Sequence, residues 1–198
     1  MTLALLSANA AKPNFVVIMA DDMGYNATSA YGGWLKTPHL DRMAREGMRF
    51  TDYHSSGVVC SPTRAGLLTG RYQERAGVPG VINADPKVPD HHRGLWPSEH
   101  TFPELLAQAG YTSAIFGKWH LGFAEPFLPK NQGFDEYFGL LHNLDPVEIV
   151  YFGDEGVPLI RNDSVVKQPA DPSELTRLYT DEAISFIERN KEQPFFLY

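Results

Sequence analysis

The chain has 198 residues, 43% of them hydrophobic and 21% charged, a globular composition that excludes a disordered or coiled-coil chain. Lys and Arg total 17 against 24 Asp and Glu, for a net charge of -7, and no Lys/Arg cluster stands out, so no nucleic-acid partner is expected. A single cysteine excludes an internal disulfide framework and a four-cysteine zinc site. No apolar run approaches the roughly 20 residues that span a bilayer.

Residues 1–12 read as a disordered tail or the remnant of an export signal. Leu3 to Leu6 is apolar and Ala8-Asn9-Ala10 resembles a cleavage site, but the basic start of a signal peptide is missing. Residues 15–20 (FVVIMA) are continuously apolar and branched, the pattern of a central strand covered on both faces. Asp21-Asp22 and Gly24 follow. Thr37 is placed to cap a helix with Pro38 at its first position; Leu40, Met43 and Ala44 give it an apolar stripe, and Gly47 ends it. Residues 48–53 read as another strand. A helix over residues 62–68 stops near Gly70. The Gly-, Pro-, His- and Asp-rich residues 71–98 read as an irregular surface excursion.

Thr101 and Glu104 have capping-box spacing, and Leu105, Leu106 and Ala109 follow on a helix ended by Gly110. Residues 111–116 (YTSAIF) then read as a strand. Residues 117–144 look loop-like, and residues 147–152 and 157–161 pair in a hairpin through residues 153–156. Asp171, Pro172 and Glu174 start a helix whose apolar residues recur through Arg189. After Gln193-Pro194 a second apolar run, Phe195 to Tyr198, opens a buried strand that stops with the chain, so a fragment of a longer protein is expected. Together these elements predict an α/β fold with a mostly parallel central sheet flanked by helices, of which residues 13–198 are the N-terminal portion.

Three places carry chemistry. Asp21 and Asp22 directly follow a strand, where ligand sites in open α/β sheets gather. Adjacent carboxylates repel and are costly to bury as ions; a hard divalent cation removes both problems, while a solvated turn explains them without one. Cys60, in Cys60-Ser61-Pro62-Thr63-Arg64, stands just before a helix, where the helix terminus and Arg64 favour a thiolate; a papain-like nucleophile and an inert buried thiol both stay open. Lys118-Trp119-His120 follows the strand over residues 111–116. If that strand runs parallel to the one before Asp21, Lys118 places positive charge and His120 a proton carrier on the same rim as the acidic pair, with Trp119 wedged into the core.

With these residues in view, the chain resembles the N-terminal part of a formylglycine-dependent sulfatase of the arylsulfatase type, in the alkaline phosphatase superfamily. The likeness is carried by residues 13–24 (PNFVVIMADDMG), 37–41 (TPHLD), 60–71 (CSPTRAGLLTGR) and 117–122 (GKWHLG), with 133–139 (GFDEYFG) a weaker fifth match. The cysteine segment is the most specific, because in the family it is also the signal read by a formylglycine-generating enzyme. The resemblance implies that Cys60 is oxidised to formylglycine, whose hydrated diol attacks sulfur. It implies that Asp21, Asp22 and the modified Cys60 ligate a divalent cation, usually Ca2+, with Mg2+ or Mn2+ as alternatives. Arg64 and Lys118 then hold the diol and its attacking oxygen, and His120 helps deprotonate the second hydroxyl, which expels sulfate and regenerates the aldehyde.

The family's later metal-ligand pair, and its later histidine and lysine, have no convincing counterpart between Lys118 and Tyr198; Asn162-Asp163 is an inverted pair in a loop. The implied partners are a small-molecule or carbohydrate sulfate ester, the modifying enzyme, and the remaining C-terminal part of the same protein; the implied compartment is extracytoplasmic (periplasmic, secreted or lysosomal), with the cytoplasm open as an alternative because one cysteine is compatible with either. The fragment alone is expected to be inactive. Two other readings remain: a phosphate or phosphonate monoester hydrolase on the same fold, and a non-catalytic sulfatase-like binding protein. Asn26-Ala27-Thr28 fits a glycosylation pattern but stands so close to the acidic pair that the match is read as accidental.

Overall fold

The computed structural model describes residues 12–144 and 155–198. In chain order they form β1 (Phe15–Val16), α1 (Pro38–Glu46), α2 (Cys60–Thr69), α3 (Phe102–Gln108), β2 (Thr112–Lys118), β3 (Glu136–Leu140), β4 (Leu159–Arg161), β5 (Ser164–Lys167), α4 (Pro172–Asn190) and β6 (Phe195–Leu197). The strands join one sheet in the order β1-β6-β2-β3-β4-β5. The pairs β1–β6, β6–β2 and β2–β3 are parallel, and β4 and β5 add an antiparallel edge. This is the expected mostly parallel sheet.

Alternation along the parallel strands builds a core on each face. Ile115 of β2, Tyr137 of β3 and Phe196 of β6 pack with Ala65 and Leu68 of α2 and Leu106 of α3. Their neighbours point the other way: Ala114, Phe195 and Leu197 meet Phe186 of α4, and Phe138 and Leu140 meet Leu175. Phe186 is wholly buried, which stabilises the fold by roughly 1.5–3 kcal/mol relative to exposure. Most of the expected caps form, but Thr37, at the N-cap position of α1, makes no side-chain capping bond. Thr101 and Glu104 complete a capping box, Asp171 accepts from the Ser173 amide at the start of α4, and Gly70 ends α2 in the left-handed conformation.

Several expectations need correction. The run FVVIMA is not a strand covered on both faces. Only two of its residues pair, at the sheet edge, and Val16 and Ile18 are 49% and 82% exposed; among the described residues neither a further strand nor a helix covers them. Residues 48–53 form no strand. Met48, Phe50 and Tyr53 are exposed, and the Phe50 carbonyl accepts from the Tyr31 hydroxyl instead of a ladder. The apolar stripe of α1 faces outward, since none of its residues is buried. Residues 71–98 are not a surface excursion throughout, because Val78, Ile82 and Leu95 enter the core.

Residues 117–144, read as loop, contain β3. Gly117 has φ +133°, and a Cβ on its β3 partner Gly139 would overlap the Gly117 carbonyl. Two facing glycines thus permit this close approach, and they interrupt the apolar pattern that marks a strand. The expected hairpin half at residues 147–152 lies outside the described residues. The half at 157–161 supplies β4, whose hairpin partner is β5. Asn162 turns between them at φ +51°, and its side chain accepts from the Tyr137 amide.

Candidate active site

Because β1, β6 and β2 run parallel, their carboxyl ends share one rim, the usual place for a ligand in such sheets. Asp21 follows β1 and Lys118 closes β2. The Lys118 ammonium donates to Asp21 Oδ2 at 2.7 Å, and Arg64 Nη2 lies 3.8 Å from Asp21 Oδ1. Burial pushes the Asp21 carboxyl up, but the Lys118 hydrogen bond and the charges of Lys118, Arg64 and His120 outweigh it and hold the group below its ordinary range. Two cations thus converge on one carboxylate. Arg64 is 4% exposed and donates through Nη1 to the Lys118 carbonyl at 2.6 Å and to the Tyr198 hydroxyl at 3.2 Å. A buried guanidinium of this kind must be held by close partners, since an unpaired buried charge is costly.

Cys60 is the first residue of α2, not the residue before the helix. Its Sγ lies 3.2 Å from His120 Nδ1. His120 is fully buried, in the left-handed region at φ +59°, and its Nε2 lies 2.9 Å from the Ile82 carbonyl. A carbonyl only accepts, so Nε2 carries a proton, and Nδ1 is the ring nitrogen that faces position 60. Burial raises the Cys60 thiol. The His120 hydrogen bond and charge, the Lys118 charge and the Ser61 amide outweigh it, and the thiol falls from 9.0 to about 7. The Ile82 amide donates to Ser61 Oγ at 3.1 Å, so α2 and the misread excursion fix each other and hold the acceptor of His120. Trp119 is fully buried and its indole donates to the Phe127 carbonyl at 2.8 Å, which anchors the loop between Lys118 and His120.

The structure brings Asp21, Arg64, Lys118, His120 and Cys60 together. Asp22 takes no part in these contacts. It is exposed, with φ +55°. Sequence reasoning missed three contributors. Tyr198, the residue after β6, reaches Arg64. The Ile82 carbonyl orients His120. Phe123 stacks on His142 with ring centroids 3.7 Å apart and lies 6.3 Å from His120. No local signal marks any of them, since each acts through a partner distant in sequence.

Paired cations, an acid and a thiol of lowered pKa thus share one rim at the ends of parallel strands. The family model described as Sulfatase matches residues 13–198, and the chain belongs to the sulfatase family. Arylsulfatase G of Canis lupus familiaris is 38% identical over 215 residues, 94% of this chain and 39% of the relative. N-acetylgalactosamine-6-sulfatase of Rattus norvegicus is 41% identical over 212 residues, 99% of this chain and 40% of the relative. The solved structure of Ps i-CgsB in complex with k-i-k-neocarrahexaose matches with a TM-score of 0.79 at 31% identity, over 94% of this chain and 44% of that one. The chain therefore spans about 40% of the length of the curated relatives it matches.

Proposed function

We propose that this chain carries the nucleophile half of a sulfuric ester hydrolase: as part of a longer polypeptide it cleaves a sulfate monoester, using Cys60 converted to formylglycine and a divalent cation. The observation that carries the reading is the placing of Cys60 at the first position of α2 against a buried His120, with Lys118 and Arg64 gathered at the same rim. Relatives named for aryl and N-acetylgalactosamine-6-sulfate chemistry, and a matched structure holding a neocarrahexaose, support a carbohydrate or aryl sulfate as the substrate class.

The donor set suits a hard cation in kind. Asp21 and Asp22 carry carboxylate oxygens on the arm after β1; Asp21 Oδ2 accepts from the Lys118 ammonium at 2.7 Å, a contact that a bound cation would replace. Among the described residues no group of three or more His, Cys, Asp or Glu could hold a metal ion; in this reading the two acids and an oxygen at position 60 would supply part of a shell. A divalent cation held there (calcium, or magnesium or manganese in its place) would supply positive charge to the sulfate, and formylglycine would supply a hydroxyl nucleophile that an unmodified thiol does not. The rest falls to the chain's own side chains. Lys118 and Arg64 present fixed positive charge where the sulfuryl group carries its negative charge. His120 Nδ1 takes a proton from the group at position 60, its ring held by the Ile82 carbonyl. The partner in maturation is a formylglycine-generating enzyme. No helix among the described residues is long and apolar enough to cross a membrane, and an extracytoplasmic compartment is part of the same proposal.

Peptide mass spectrometry across Cys60 tests the modification: conversion lowers the mass by about 18 Da. In the complete polypeptide Cys60→Ala should abolish nearly all aryl sulfate hydrolysis. Asp21→Asn and Asp22→Asn should each weaken calcium binding, read by titration calorimetry; unchanged affinity in both would remove the ligand assignment. A higher rate on a matched phosphate ester than on the sulfate would move the reading to phosphoryl chemistry.

A further inference from the structure

We propose that Tyr198 is a positioning residue of this site: its hydroxyl fixes the Arg64 guanidinium relative to the arm that carries Asp21. The catalytic consequence rests on the sulfatase reading; the positioning does not.

Three observations converge. The main chain of Tyr198 is pinned to β2 from both sides, its amide donating to the Ala114 carbonyl and its carbonyl accepting from the Phe116 amide, each at 2.9 Å. The sheet therefore fixes where the phenol starts, and the ring lies stacked beside Phe134. The hydroxyl then stands between two elements that Lys118 of β2 also links, its carbonyl accepting from Arg64 and its ammonium donating to Asp21. It accepts from Arg64 Nη1 at 3.2 Å and faces Met19 Sδ at 3.3 Å. Arginine only donates, so the phenolic proton is free to point at the thioether, a weak acceptor. The order of donation is Arg64 to Tyr198 to Met19. Met19 lies two residues before Asp21, and Arg64 lies one turn after Cys60 on α2. One hydroxyl thus ties the acidic arm to the helix of the nucleophile across a strand from the far end of the sequence.

Arg64 needs such a tie. Its nearest counter-charge, Asp21 Oδ1, is 3.8 Å away, beyond hydrogen-bond distance. Its Nε is buried without a hydrogen-bond partner among the described residues. Orientation of the plane therefore falls to Nη1, which has two acceptors: the Lys118 carbonyl and Tyr198. Removing the phenolic oxygen leaves one bond, about which a guanidinium can swing. Tyr137 provides the internal control. Its hydroxyl is also buried on the same face, with the Arg64 charge nearby, yet it makes no hydrogen bond among the described residues.

The experiment reads Arg64 directly. In the 198-residue protein the guanidinium resonances of Arg64, assigned with Arg64→Lys, should show separate, slowly exchanging Nη signals. In Tyr198→Phe they should average, while Tyr137→Phe leaves them unchanged. Thermal midpoints measured alongside separate this from a general loss of structure. Averaged signals in the parent protein overturn the proposal without any variant, and retained slow signals in Tyr198→Phe overturn it equally. In the complete polypeptide, Tyr198→Phe should lower kcat on an aryl sulfate by about tenfold with a smaller change in KM, as expected for a displaced charge. If the parent hydrolyses no sulfate ester while the resonances behave as stated, the positioning stands and the sulfatase reading falls. If Arg64 is freed and kcat is unchanged, the catalytic consequence is overturned.

Discussion

Residues 17–56 and residues 60–198 draw on the same kinds of side chain but end in opposite states. In the first segment only Thr28 is buried among the residues described, although Ile18, Met43, Met48, Phe50 and Tyr53 are all large and apolar. α1 forms there nonetheless. Its local order comes from a polar lock, in which the Ser29 hydroxyl donates to both Asp41 oxygens at 2.9 and 2.8 Å and the Thr37 amide donates to Ser29 at 2.9 Å. In the second segment the same residue types close a core on both faces of a sheet. Periodicity can therefore specify an element without burying it. Burial needs a second surface, and the described residues supply one only from α2 onward.

Mutation should reproduce this contrast. Trp119→Ala removes a fully buried ring and its bond to Phe127, and should cost about 3–5 kcal/mol in chemical denaturation. A loss below about 1 kcal/mol would mean that the second segment is not the folding unit. Acid should act next. His142 is buried, and burial, then the charges of His120 and His91, press its imidazole down from 6.5 to about 3. The unfolded chain binds this proton first, so the stabilisation is complete above about pH 6.5 and is lost as pH falls towards about 3, on the order of a few kcal/mol. In thermal melts through that window His142→Phe should lose less stability than the parent; equal slopes would reject the assignment. The smallest effect belongs to the first segment: Met43→Ser, at a side chain 61% exposed, should change stability by less than about 0.5 kcal/mol. A larger loss would show that something covers α1.

Much of the site could be read along the chain. Cys60, Arg64, Lys118 and His120 stand in short motifs, each beside a helix start or a strand end, and two parallel strands are enough to bring them to one rim. The capping residues of α3 and α4 were readable for the same reason, since a cap bonds within three residues of itself. What escaped were side chains whose partners are remote. Ile82 turned from an assumed surface loop into the support of His120. Tyr198 acquired a role from a helix 134 residues earlier in the sequence.

The sequence by itself determined the local facts: which runs coil or extend, where helices begin, and which residue types could hold charge, move a proton or take a nucleophilic modification. Backbone geometry and short-range hydrogen bonds act over a few residues, so a few residues suffice to show them. Only the tertiary structure decided that β6 enters between β1 and β2, that FVVIMA ends at an open edge, and that Arg64 meets Asp21 and Tyr198. Those outcomes depend on which distant surfaces exclude water together, and no stretch of chain records that alone.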